Sequence, residues 1–211
     1  MKTAVVYVHG LFLNGAEFTL LRRRLAGAHG FESHGFNYST VRGSMSGTLA
    51  ELARFVRRID AGRIHFVGHS LGGIVLSRYF EREHCEREGR VVLLGSPLVG
   101  SASARAVARH AWLRRVIGPL VAEELLEDCA PRQWNCGREL GLIAGTRPMG
   151  LGRLFARFDE DCDGTVGVSE TKLPGHTAHV TMPVSHMGML ASAVVARQVG
   201  EFLSQGRFEP I

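Results

Sequence analysis

The chain has 211 residues, of which 45% are apolar and 21% charged, and it carries a formal net charge of +5. This is the composition of a soluble globular protein, with length for one full hydrophobic core and too little for two ordinary domains. No stretch approaches the roughly 18 apolar residues of a membrane span, and there are no internal repeats, low-complexity tracts or linkers, so a single domain over residues 1–211 without stable membrane insertion is expected.

The first ten residues, "MKTAVVYVHG", hold an apolar run only a strand long and no small-residue cleavage site, which gives a cytoplasmic location as the expectation. The four cysteines, Cys85, Cys129, Cys136 and Cys162, lack the close pairing of a zinc site and read as free thiols or packing residues. Positive charge resides mostly on dispersed arginines. The clusters Arg22 to Arg24, Arg57-Arg58 and Arg114-Arg115 fall in stretches of helical period, where a solvated face is the ordinary role, so nucleic acid is not an expected partner.

In chain order, "AVVYVHG" (4–10) predicts a buried strand and "EFTLLRRRLAGA" a helix. "FESHGFNY" predicts a weaker strand and "MSGTLAELARFVRRID" a second helix of clear 3.6-residue period. "RIHFVGHS" and "LGGIVLSRYFEREH" repeat the strand–helix pair. "RVVLLGSP" and "ELGLIAGT" predict two more strands, separated by a helical excursion over residues 101–135, and "AHVTMPVSH" with "MGMLASAVVARQVGEFL" closes the chain. Alternation of apolar, β-branched strands with helices predicts a mostly parallel six-stranded sheet in a three-layer α/β/α sandwich. In such folds ligands bind at the carboxyl ends of the strands.

There, Gly68-His69-Ser70-Leu71-Gly72 forms a G-x-S-x-G elbow between a strand and a helix. The sharp turn lifts the Ser70 side chain above the sheet edge and leaves no room for side chains at Gly68 and Gly72. It also brings Ser70 to a helix N-terminus, whose free N–H groups favour negative charge. A serine nucleophile attacking a carbonyl needs donors for the resulting oxyanion. The backbone N–H of Leu71 is one candidate. Leu11, in the turn after "YVHG", is the second, with Phe12 as the next possibility. His9 and His69 are expected to serve structure rather than catalysis.

The "VHG" near the start, "GHSLGG" some sixty residues later and "LLGSPLVGS" after the next strand together resemble the α/β-hydrolase superfamily, in particular its small bacterial lipases and esterases. The last segment is similar to a "GTPhxGS" pattern of that group. The resemblance covers nearly the whole chain and implies a minimal fold lacking the family's first two strands, with a triad in the order Ser, Asp or Glu, His. It requires no cofactor.

The stretch "FDEDCDGTVGVSE" (158–170) offers two readings. Asp159, Asp161, Asp163, Gly164 and Glu170 follow the ligand spacing of an EF-hand loop. An EF-hand needs a helix on both sides, however, and Pro174-Gly175 would break the exiting one. A looser calcium site at Asp159 and Asp161 stays open. As triad acid, any of Asp159, Glu160, Asp161, Asp163 and Glu170 lies in the right loop; the family's "DGxV" segment, matched by "DGTV" (163–166), selects Asp163, with Asp161 in reserve. The family's histidine position, after the last strand, falls on His186. His176 and His179 sit before or within that strand, and His29, His34, His65, His84 and His110 lack a strand-end context.

These residues imply a serine carboxylic-ester hydrolase. Ser70 attacks, His186 shuttles the proton, Asp163 fixes the imidazole tautomer, and water releases the acyl-enzyme. The expected partner is a small-molecule or lipid ester. The excursion 101–135 lies where the family inserts lids, and its Trp112, Ile117, Leu120 and Leu125 could equally line an acyl pocket for short to medium chains or pack onto the sheet. An acyl thioesterase uses the same groups, and a non-catalytic binding protein shares the same fold.

Overall fold

Residues alternate along the strands between two apolar layers, and this alternation builds the molecule. The computed structural model describes residues 2–82, 85–102, 124, 133–150 and 158–210. Six strands, β1 (Thr3–Val8), β2 (Glu32–Phe36), β3 (Arg63–His69), β4 (Val91–Leu94), β5 (Leu140–Gly145) and β6 (Ala178–Met182), form one parallel sheet in the order β2-β1-β3-β4-β5-β6. All six fall on the stretches predicted as strands, the edge strand β2 on the weaker one.

Ala4, Val6 and Val8 of β1, with Ile64 and Phe66 of β3, face the helices α2 (Met45–Arg57) and α3 (Leu71–Arg82) through Leu49, Leu52, Ile74 and Val75. Val5 and Tyr7 of β1, with Val92 and Leu94 of β4, face the opposite layer. There they meet Leu21 and Leu25 of α1 (Thr19–His29), with Val199 and Phe202 from the C-terminal helix. Burying the four central strands on both faces is why they read as continuous apolar runs rather than as polar–apolar alternation.

The predicted closing helix is two helices. α4 (Gly188–Ala191) ends at Ser192, whose backbone is extended and whose hydroxyl accepts the N–H of Val195 at 3.3 Å, opening α5 (Ala193–Gln205). A serine that caps a helix end competes with helix continuation, and here the cap prevails over the apolar run around it.

Of the excursion 101–135, read as a lid, only residues 101–102, 124 and 133–135 are among those described, so the lid itself lies outside them. Trp134 is buried and meets the Phe80 ring edge-on at 5.5 Å. Cys85, Cys136 and Cys162 are free thiols, and Cys129 lies outside the described residues. Among the described residues no helix is long and apolar enough to cross a membrane.

Strand order reverses between β1 and β3, since the chain leaves β1 outward to β2 and then crosses back to β3. The loops leaving these two neighbours part to opposite faces, which opens a crevice at their carboxyl ends. The segments after β1 and β3 are the ones that carry Leu11 and Ser70.

Candidate active site

Ser70 stands at that crevice with φ 53°, a left-handed backbone conformation that side-chain-bearing residues seldom adopt. Holding a serine there costs roughly 1–2 kcal/mol, and the surroundings enforce it. The Ser70 N–H donates to the Leu94 carbonyl of β4 at 3.0 Å, and the Ser70 carbonyl accepts the N–H of Gly73 at 3.0 Å. The elbow glycines leave no alternative: a Cβ on Gly68 would lie 2.8 Å from Gly73 Cα, and one on Gly72 would lie 2.0 Å from the Val8 carbonyl oxygen. Ser70 remains half-buried, at the end of a strand whose other residues are covered.

The turn after β1 comes close beneath it. A Cβ on Gly10 would sit 3.1 Å from Ser70 Cβ, a contact tight enough that a side chain there would push on the elbow. His9 is fully buried and holds the turn as expected. Its Nδ1 donates to the Gly10 carbonyl at 3.0 Å, its Nε2 accepts the N–H of Tyr38 at 3.2 Å, and its ring stacks on Tyr38 at 4.5 Å.

Phe12 is the second residue in the left-handed region, at φ 60°. Its N–H donates to Thr40 Oγ1 at 3.2 Å, so of the two expected donors in this turn Phe12 is already engaged. Among the described residues the N–H of Leu11 takes no acceptor, and that of Leu71, first residue of α3, has no intrahelical one. Thr40 is a residue that reading the sequence missed; nothing in the loop after β2 signals its bond to a turn 28 positions earlier.

Asp163 and His186 meet directly. His186 Nδ1 donates to Asp163 Oδ2 at 2.7 Å, with Asp163 1% exposed and His186 7% exposed. Asp163 is held in turn by its own hairpin, where Oδ1 accepts the N–H groups of Thr165 at 2.9 Å and Val166 at 2.8 Å. The hairpin closes through the Cys162–Gly167 bridge. Room for the pair comes from Gly95 at the end of β4, where a Cβ would lie 2.9 Å from Asp163 Oδ2 and 3.2 Å from His186 Nδ1.

The EF-hand spacing of this window has a different structural use. Asp163 is occupied on both oxygens, and the buried Glu170 accepts the N–H groups of Gly167 and Ala102. Asp159, Glu160 and Asp161 are exposed, and Glu160 accepts from Ser169. The exit is a single 3-10 turn, Ser169–Thr171, in place of a helix. Among the described residues no three His, Cys, Asp or Glu side chains converge as a metal site.

His69 adjoins His186, the two ring centroids 4.7 Å apart. The other histidines are engaged elsewhere. His179 meets Thr171 Oγ1, His29 meets Ser204, His34 meets Glu32 and His65 accepts the N–H of Arg90; His84 and His110 lie outside the described residues.

Asp163 and His186 form a buried carboxylate–imidazole pair, and the His186 carbonyl is joined to His69, the neighbour of Ser70 in its strained elbow, while no hydrogen bond links Ser70 to His186 among the described residues. With two unengaged N–H groups in the turns after β1 and β3, these groups have the parts for proton transfer and anion stabilisation. The Alpha/beta hydrolase family model matches residues 5–163, more than half of the chain. No curated protein matches the sequence. Among solved structures, Bacillus licheniformis lipase BlEst2 in its mature form superposes with a TM-score of 0.72 at 19% identity, over 98% of this chain and 93% of that one. Phospholipase PlaB from Legionella pneumophila superposes with a TM-score of 0.72 at 15% identity, over 94% of this chain and 57% of the other. The metagenomic carboxyl esterase MGS0156 gives 0.66 at 17%, over 88% and 64%. These likenesses are of fold; together with the family match over β1 to the Asp163 hairpin, they establish that the chain belongs to the alpha/beta hydrolase family.

Proposed function

We propose that this protein is a serine carboxylic-ester hydrolase. Ser70 attacks the ester carbonyl while His186 takes its proton, and His186 returns that proton to the departing alcohol. Asp163 keeps the proton of the imidazole on Nδ1, so that Nε2 is the basic nitrogen, and stabilises the imidazolium as it forms. The N–H groups of Leu11 and Leu71 hold the oxyanion, and water then releases the acid from the acyl-enzyme. No step draws on a cofactor. The buried 2.7 Å bond between His186 and Asp163, tied through His69 to the strand end that carries the strained Ser70, is the observation that carries this reading. A buried acid, an imidazole and a serine together are costly to maintain for binding alone.

The substrate class follows from the rim. Phe12, Val99, Met149 and Met187 are exposed large apolar side chains, and each lies just past the carboxyl end of β1, β4, β5 or β6. Phe12 is 59% exposed. An apolar rim suits esters with an apolar acyl chain of short to medium length, including lipid esters.

A fluorophosphonate probe should label the wild type and leave Ser70→Ala unlabelled, with hydrolysis of p-nitrophenyl butyrate reduced at least about 10⁴-fold in the variant. Labelling that persists in Ser70→Ala overturns the assignment. Across p-nitrophenyl esters of rising chain length, kcat/KM should climb and then decline; a flat profile would speak against the apolar rim.

A further inference from the structure

His69, the residue immediately before the nucleophile, is fully buried, and a packing role alone would be met by phenylalanine or leucine. Its polar atoms show a more specific arrangement. Nε2 lies 3.1 Å from the backbone carbonyl oxygen of His186. A carbonyl only accepts, so Nε2 carries a proton. Burial pushes the imidazole well below its ordinary pKa and keeps it neutral, which leaves Nδ1 bare. That nitrogen takes no hydrogen bond among the described residues and faces the turn after β1, where a Cβ on Gly10 would lie 3.3 Å away. The ring rests against the His186 ring, with planes 44° apart, and receives the Phe18 ring edge-on from the other side.

His186 is consequently held at three points. Its N–H donates to the Asp163 carbonyl at 2.9 Å, its Nδ1 donates to the Asp163 carboxylate at 2.7 Å, and its carbonyl accepts from His69. The first two bonds both come from Asp163; the third comes from the nucleophile's own neighbour and ties the His186 backbone to the strand end that carries Ser70. We propose that His69 is a positioning residue, tying the backbone of the base to the strand end that carries the nucleophile and so fixing the distance across which the proton passes. This rests on the serine-hydrolase reading given above. Substrate is not touched by His69; it acts through His186.

Two variants separate the donor from the ring. His69→Phe keeps a flat ring and loses the N–H, whereas His69→Gln loses the ring and keeps an amide donor near the position of Nε2. On p-nitrophenyl butyrate, His69→Phe should lower kcat about tenfold or more with KM within about twofold, and His69→Gln should recover most of that loss. Unchanged kcat in His69→Phe, or a greater loss in His69→Gln than in His69→Phe, overturns the proposal in favour of packing. A measurement on the wild type needs no variant to fold: nitrogen-15 NMR of labelled histidines should find residue 69 neutral with its proton on Nε2, and a proton on Nδ1 overturns it. Fluorophosphonate labelling of the wild type, run alongside, distinguishes the two failures. An unlabelled wild type refutes the enzyme reading, whereas a labelled wild type with an indifferent residue 69 refutes only this inference.

Discussion

The two edges of the sheet treat polar groups in opposite ways. At the amino edge, cations are matched to carbonyls at and just past the C-termini of helices. Arg87 donates to the carbonyls of Val56 and Ile59 at the end of α2, and Arg90 donates to those of Leu203 and Ser204 at the end of α5. Arg138, just before β5, donates to four carbonyls, those of Ile64, Cys85, Arg87 and Gly89, while its guanidinium lies over the rings of Phe66 and Phe80. A cavity of about 620 Å³ opens there among these arginines. Its cationic walls are already engaged, and it lies at the opposite end of β3 from Ser70. At the carboxyl edge, two residues hold strained backbones, two N–H groups stay unengaged and large apolar side chains face outward. One edge satisfies its groups in place and stabilises the fold; the other keeps strained backbones and unengaged groups.

That contrast predicts opposite responses to substitution. Asp163→Asn should lower kcat by about 10³- to 10⁴-fold, since the amide would present a donor to His186 and reverse its tautomer. The hairpin should survive, because an amide oxygen accepts the same two N–H groups, so the thermal midpoint should move little. Calorimetry showing a collapsed fold in Asp163→Asn would blur the division between the edges. Arg138→Met should do the reverse, leaving kcat within about twofold while costing about 3 kcal/mol of stability, as four carbonyls lose their donor. Denaturant unfolding tests this, and a large kcat loss with full stability would break the comparison.

A third response concerns acid. His65 is buried near the amino edge, and burial, aided by the charges of Arg90, Arg63 and Arg138, brings its pKa down to about 3. An unfolded histidine titrates near 6.5. The stabilisation from keeping His65 neutral is therefore complete above pH 6.5 and drains away as pH falls toward 3, reaching a loss of about 3 kcal/mol by pH 4. His65→Asn, whose amide oxygen can accept the Arg90 N–H, should flatten that acid limb; an unaltered slope of unfolding free energy against pH would exclude His65 as its source.

What was legible in the sequence was what local pattern determines. The four central strands are visible because burial on both faces makes each a continuous apolar run, and the elbow because its glycines are sterically obligatory. Asp163 was one of five acids in its loop, and only the family's "DGTV" segment singled it out; its buried bond to His186 depends on a strand end 23 residues away. The break at Ser192 was hidden because a capping serine inside "MLASAVVA" looks like any other small residue. The Arg138 clasp, the Thr40 bond to Phe12 and the His69 contact with the carbonyl of His186 were out of reach for a common reason. Each joins chain segments 28 to 117 residues apart, by contacts that no periodicity encodes.

The double use of Asp163 constrains the lineage of this protein. With one carboxylate oxygen shaping its own hairpin and the other facing the imidazole, a lengthened side chain at 163 must surrender one role to keep the other. A change at this position is therefore also a change to the turn that follows it, whose Thr165 and Val166 N–H groups lean on the same carboxylate.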